Sequence, residues 1–146
     1  MWKVRMVREE DVPALGELMK EYIVDFYQRP EPPKKRLAEL IELLREEERG
    51  VQFVAERDGK LIGFATLYFT FSTLRAQKTT VMNDLYVVES ERGSGAAVAL
   101  FQQCESYTKS NGYAFMTWET AQDNHRAQRF YEKMGGVKGD WLTYSI

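Results

Sequence analysis

The chemistry most legible in this chain lies in Leu85-Tyr86-Val87-Val88-Glu89-Ser90-Glu91-Arg92-Gly93-Ser94-Gly95-Ala96-Ala97. The stretch reads as a strand that passes through a glycine turn into a helix, an arrangement that holds anions. The first turn of a helix exposes unpaired N–H groups and the positive end of its dipole. Gly93 and Gly95 let phosphate oxygens approach the backbone, and Arg92 adds a charge-assisted fork. Two nucleotide-binding patterns fail here. Val98 stands where the dinucleotide fingerprint needs its third glycine, and no Gly-Lys-Ser/Thr follows for a phosphate loop.

Other chemistries are bounded by what the chain contains. Cys104 is the only cysteine and His125 the only histidine, so an internal disulfide, a cysteine-rich zinc site and a site needing two imidazoles are excluded within one chain. No metal is expected, and Cys104 shares an apolar stripe with Ala97 and Phe101. The 146 residues suit one domain, residues 1–146, with 44% hydrophobic residues to build its core. Net charge is -2 with basic and acidic residues interspersed, which gives nucleic acid no electrostatic footprint. No apolar run approaches the roughly eighteen residues a membrane helix needs, and the chain opens on Trp2-Lys3-Val4-Arg5 after its first Met, with no signal-like segment. A reducing, cytoplasmic location is expected.

The elements that must position the turn follow from periodicity. Trp2 to Val7 alternates as a half-buried strand with Trp2, Val4 and Met6 on one face. Asp11 is placed to cap a helix in which Val12, Leu15, Met19, Tyr22, Ile23 and Phe26 recur at helical spacing. Pro30, Pro32 and Pro33 break it, and Leu37, Leu40, Ile41 and Leu44 mark a second helix. Val51 to Glu56 and Leu61 to Thr70 read as antiparallel strands joined at Asp58-Gly59. A strand from Thr79 to Val88 leads to the glycine turn and a helix that ends at Asn111-Gly112. Tyr113 to Thr117, a helix capped by Asp123 or Asn124, and a strand from Trp141 to Ile146 complete the chain. The order β-α-α-β-β-β-α-β-α-β indicates a mixed α/β sheet covered by about four helices.

On these residues the chain resembles the GNAT superfamily of N-acetyltransferases. Arg92-x-x-Gly95-x-Ala97 after a Leu-Tyr-Val strand is similar to the family's pyrophosphate motif, and Asn124-x-x-Ala127-x-x-Phe130-Tyr131-x-x-x-Gly135 to its last-helix signature. The resemblance implies a mostly antiparallel central sheet whose strands four and five splay apart, with acetyl-CoA as cosubstrate. It places Leu85, Tyr86 and Val87 on the pantetheine arm, Arg92, Gly93, Ser94, Gly95, Ala96 and Ala97 on the pyrophosphate, and Asn124, Ala127 and Tyr131 on the opposite wall. Tyr131 matches the family's general acid, and a homodimer is the family-level expectation.

Acetyl transfer to an amine needs such groups. An alkylamine of pKa about 10.4 is neutral in only about one molecule in 2,500 at pH 7, a cost of roughly 4.6 kcal/mol before attack. The departing thiolate, whose pKa is ordinarily about 8.5, can take a proton from a phenol of about 10. Asp84 is the acid nearest this centre. The stretch Phe71-Ser72-Thr73 to Val87 loosely resembles diamine acetyltransferases, in which two consecutive acids stand where this chain has Asn83-Asp84. With the first acid absent, direct base catalysis is in doubt. Proton transfer from an ammonium to a carboxylate of pKa about 3.9 is uphill by roughly 9 kcal/mol, so Asp84 is read as a substrate anchor with deprotonation through water. Phe64, Tyr68, Phe69 and Phe71 could shape an acceptor pocket or simply pack in the sheet. A small amine is the leading acceptor. A protein amine, or a module that binds acyl-CoA without turnover, stays open.

Overall fold

Turn chemistry and alternation set the sheet. In the computed structural model, which describes residues Trp2 to Ile146, β1 (Trp2–Met6), β2 (Gly50–Arg57), β3 (Lys60–Ser72), β4 (Gln77–Val87) and β5 (Met116–Thr117) form one sheet in chain order. The first four are antiparallel neighbours, while β5 runs parallel to β4. Asp58 (φ 51°) and Gly59 (φ 79°) give the β2–β3 hairpin the two positive φ values of a type I′ turn, as their sequence requires.

Four helices, α1 (Val12–Lys20), α2 (Lys34–Leu43), α3 (Ala96–Ser110) and α4 (His125–Lys133), flank the sheet. Successive strand residues point to opposite faces, and this decides the two cores. Phe53, Ala65, Leu67 and Val87 pack with Leu100, Phe101 and Cys104 of α3. Val54, Phe64 and Tyr86 pack with Leu15 and Leu18 of α1 and Leu37 and Ile41 of α2. Phe53, Phe64 and Phe101 are fully buried, each stabilising the fold by roughly 1.5–3 kcal/mol. A Cβ on Gly63 would stand 2.7 Å from the Tyr86 carbonyl oxygen and 3.2 Å from Leu100 Cδ1, so α3 reaches the sheet across a residue that lacks one. Burial pushes the Cys104 thiol up to about 12, which keeps it a protonated core residue. No helix among the described residues is long and apolar enough to cross a membrane.

The structure corrects the sequence reading in three places. Asp11 does not cap α1. It closes a 3₁₀ turn (Glu9–Asp11), where its carboxylate accepts from the Arg8 N–H at 2.7 Å and from Arg5 Nη1 and Nη2 at 2.6 and 2.9 Å. A buried carboxylate needs a counter-charge more than a helix needs a cap, and the Arg5 fork holds Asp11 below the usual carboxylate range. Second, the first helix does not stay α-helical to Phe26. It widens into a π-helical turn over Glu21–Phe26. Third, Trp141 to Ile146 forms no strand, and Tyr113 to Thr117 shortens to Met116–Thr117. A strand exists only with a hydrogen-bonded neighbour, and none reaches residues 141–146 within the described chain. Trp2 and Val4 join the α3-side core as expected, whereas Met6 is half exposed.

Candidate active site

β4 and β5 diverge almost as soon as they meet. They pair only at Thr80↔Met116 and Val81↔Thr117, and the next turn of β4 is a bulge: Leu67 opposes Met82 and Thr66 opposes Asp84, leaving Asn83 unpaired. Bulges add twist and re-aim side chains. Beyond it, the Val88 N–H donates to the Ile62 carbonyl at 2.9 Å, so the alternate residues Tyr86 and Asp84 also direct their backbone groups at β3. The N–H and C=O of Leu85 and Val87 therefore face the open side. Tyr86 contributes no edge groups there. Its ring lies in the α1-side core and its hydroxyl donates to Glu21 Oε2 at 2.6 Å.

At the end of this edge the chain turns through Gly93 (φ 83°) and Gly95 (φ 94°), both left-handed, into α3. The first helical bond runs from the Ala99 N–H to the Gly95 carbonyl at 3.0 Å. The Ala96 N–H turns to Ser94 Oγ at 3.3 Å, so the N–H groups of Gly93, Gly95, Ala97 and Val98 have no partner among the described residues. This is a nest of aligned donors on a fifteen-residue helix. Gly95 is required for a different reason from the one its sequence suggests. Its Cβ would point at Trp2 Cζ2, 3.4 Å away, so its backbone conformation, more than phosphate clearance, requires glycine. The Arg92 guanidinium rests on the Phe26 ring at 5.7 Å, at the rim of the turn.

The facing wall is α4. Asn124 caps it, its Oδ1 accepting from the Ala127 N–H at 3.1 Å, which leaves its amide N–H₂ without a partner among the described residues. Tyr131 sits half-buried with its ring 5.4 Å from Trp118, 5.6 Å from Phe130 and 6.4 Å from Phe101. Burial raises its pKa, with a smaller contribution from Tyr27, so the phenol stays protonated through the neutral range.

Across β4, Asp84 is mostly desolvated, and burial raises its pKa against hydrogen bonds from Thr66, Tyr22 and Asn83 that lower it. Asn83 Nδ2 donates to Asp84 Oδ1 at 3.2 Å and to Tyr68 Oη at 3.1 Å. Gln52 Nε2, buried, donates to Thr66 Oγ1 at 3.0 Å and orients that hydroxyl. Aromatic rings surround this carboxylate. Tyr22 packs 5.3 Å from Phe64, 5.3 Å from Tyr86 and 4.9 Å from Tyr27. The sequence reading missed Tyr22, Tyr27 and Thr66, since Tyr22 looked like one more residue of an apolar helix stripe. Of the four aromatics weighed as pocket formers, Tyr68 adjoins Asp84 and Phe64 backs Tyr22, whereas Phe69 stacks on Tyr107 and Phe71 is exposed.

The profile described as the acetyltransferase (GNAT) family matches residues 15–136. The chain belongs to the GNAT acetyltransferase family. Its relatives carry the same label: the uncharacterised N-acetyltransferase YhfO of Bacillus subtilis is 32% identical over 132 residues, 90% of this chain and 87% of that protein. The D-amino-acid N-acetyltransferase HPA3 of Saccharomyces cerevisiae is 28% identical over 143 residues, 97% of this chain and 88% of that protein. A solved structure described as a probable acetyltransferase superposes with TM-score 0.87 at 28% identity, covering 99% of this chain and 96% of that one. An aminoglycoside N-acetyltransferase, AAC(6')-Iy, solved in complex with CoA, shares the fold alone, with TM-score 0.86 at 16% identity over 100% of this chain and 94% of that one. The GNAT family uses acetyl-CoA as acyl donor. A nest of unpartnered N–H donors and an unpaired strand edge, joined end to end, have the chemistry to fit that donor. No group of His, Cys, Asp or Glu able to hold a metal occurs among the described residues.

Proposed function

We propose that this GNAT enzyme moves an acetyl group from acetyl-CoA to the primary amine of a small molecule by direct attack. One observation carries the reading: the open edge of β4 at Leu85 and Val87 runs from the donor nest, with a largely desolvated carboxylate on one side and a half-buried phenol on the other. Free N–H groups of Gly93, Gly95, Ala97 and Val98, with Arg92 at the rim, take the pyrophosphate, and Leu85 and Val87 pair with the pantetheine amides. A backbone N–H of that edge donates to the thioester oxygen as negative charge develops there. Tyr131 gives its proton to the departing sulfur.

Asp84 holds the acceptor ammonium among aromatic rings, a setting that favours a cation by charge and by quadrupole. Its raised pKa narrows the gap of roughly 9 kcal/mol that separates an ordinary ammonium from an ordinary carboxylate. The ammonium loses one proton through water, the nitrogen lone pair forms the amide bond as the C–S bond breaks, and the second nitrogen proton follows through water, replacing the one that Tyr131 gave to sulfur. The yeast relative, named for D-amino acids, supports a small acceptor bearing an ammonium. A single domain, a cytoplasmic setting and a homodimer belong to the same reading, the second motivated by one buried thiol and no cysteine pair.

The test is thiol release from acetyl-CoA across polyamines, aminoglycosides, amino acids and peptides. The expected result is turnover with a small amine well above hydrolysis and above every peptide. Release at the hydrolysis rate with all acceptors, or fastest with peptides, contradicts the reading.

A further inference from the structure

A row of polar side chains crosses the apolar face of the sheet beneath α1. Register sets Gln52 of β2 opposite Thr66 of β3, and Thr66 opposite Asp84 of β4, and the two-residue period of a strand points all three to the same side. The next row on that side, Val54, Phe64 and Tyr86, belongs to the core under α1. Gln52 is 3% exposed and Thr66 fully buried. Burial there strips an amide of its water, a loss that partners have to meet. Gln52 Nε2 donates to Thr66 Oγ1 at 3.0 Å and lies 3.8 Å from Met19 Sδ, whereas Gln52 Oε1 has no partner among the described residues. An apolar side chain of the same length would fill this space without an orphaned oxygen, so packing does not explain the glutamine.

The direction of the hydrogen bonds does. A hydroxyl has one proton to give. Because the Gln52 amide donates to Thr66, that proton is free to go on to the Asp84 carboxylate. Turning the amide over would satisfy Oε1 with the Thr66 proton and take it from Asp84. Thr66, Tyr22 and Asn83 all donate to Asp84, against the roughly four bonds a carboxylate accepts, which leaves room for an ammonium. Gln52 itself lies two strands from β4, about 10 Å at the usual strand spacing, and reaches neither substrate.

We infer that Gln52 is a positioning residue for acetyl transfer: through Thr66 it fixes the aim of the Asp84 carboxylate and so how tightly the acceptor ammonium is held. The role rests on the reading of Asp84 as the anchor of the amine. Hydrogen bonds in such a chain strengthen one another. Without the Gln52 amide, the Thr66 hydroxyl loses the contact that orients it, and Asp84 accepts a weaker bond. The phenols that face Asp84, Tyr22 on the π-helical turn and Tyr68 on β3, are raised by burial first and by the Asp84 charge second, so neither changes charge in the neutral range. A change in how Asp84 titrates therefore reports on the row.

The experiment compares Gln52→Met, Thr66→Val, the two combined, and Thr66→Ser with the parent and with Asp84→Asn. The Asp84 carboxyl is titrated by carbon-13 NMR, its resonance assigned by its loss in Asp84→Asn. KM and kcat come from thiol release with the fastest acceptor among polyamines, aminoglycosides, amino acids and peptides. Gln52→Met keeps the unbranched shape and removes the orphaned oxygen, so the fold is expected to hold. The Asp84 midpoint is expected to rise by about half a pH unit in Gln52→Met and about one in Thr66→Val, because the anion loses hydrogen-bond support. KM for the amine is expected to rise about threefold and about tenfold, with kcat and coenzyme A affinity held, since a carboxylate left loose grips less well. Thr66→Ser, which keeps the hydroxyl, recovers most of the loss, and Gln52→Met adds nothing once Thr66→Val is present. An unmoved Asp84 midpoint, or two effects that simply add, overturns the row. A raised KM in Asp84→Asn with none in Gln52→Met overturns the role of Gln52 and leaves the anchor standing. An unchanged KM in Asp84→Asn, or no turnover with any amine, removes the anchor reading and the role of Gln52 with it.

Discussion

Replacing Tyr131 by Phe is expected to lower kcat by about 10² to 10⁴, equivalent to roughly 2.7–5.5 kcal/mol of transition-state stabilisation. The ring stays, and with it the packing on Trp118, Phe130 and Phe101. Coenzyme A affinity and thermal stability should hardly move. Burial raises the phenol above its ordinary pKa, so it keeps a proton to give through the neutral range. Steady-state thiol release with the best amine, alongside a binding titration, separates the two effects. A loss confined to kcat puts the hydroxyl in the transition state, provided chemistry limits turnover. Turnover within threefold of the parent would make Tyr131 only a wall, with the thiolate leaving unassisted.

Asp84→Asn should act on the other substrate. Removing the charge that holds the ammonium is expected to lower kcat/KM for the amine by about a hundredfold, or roughly 2.7 kcal/mol, mostly through KM. Affinity for coenzyme A should stay the same. Stability should move the opposite way. Burial raises the Asp84 pKa, so the folded state binds a proton more tightly than the unfolded chain. Stability linked to this group therefore grows as pH falls through the raised value and is lost above it, where the ionised form is penalised. A neutral isostere escapes that penalty, and the melting temperature at pH 7 should be unchanged or higher. A lower melting temperature with unaltered amine kinetics would make Asp84 a structural residue of the bulge.

What the sequence disclosed follows from which features are local. Gly93 and Gly95 announce left-handed backbone, and Asp58-Gly59 announces its hairpin, because few residues adopt those conformations. Asn124 caps α4 through a contact three residues away. The acceptor side was hidden for the opposite reason. Tyr22 and Tyr27 reach the neighbourhood of Asp84 through a π-helical turn, and a 3.6-residue pattern carries no sign of one extra residue. Asp11 was misplaced because its carboxylate turns back to the Arg5 guanidinium on β1 and to the Arg8 N–H, while a cap on the helix ahead looked sufficient. The Asn83 bulge, just beyond the last β4–β5 pair, shows itself only when β3 and β4 are laid in register.

The central claim is that the turn from Arg92 to Ala97 holds the pyrophosphate of coenzyme A. Ser94→Asp tests it most directly. The Ser94 hydroxyl already accepts from the Ala96 N–H, so a carboxylate there would occupy the nest from within while improving the helix start. Titration calorimetry of coenzyme A into both proteins is the measurement. The account predicts micromolar-range binding by the parent, at least tenfold weaker binding by Ser94→Asp, and a melting temperature for the variant no lower than the parent's. Equal affinities, or a parent that takes up no coenzyme A at millimolar concentration, would contradict it.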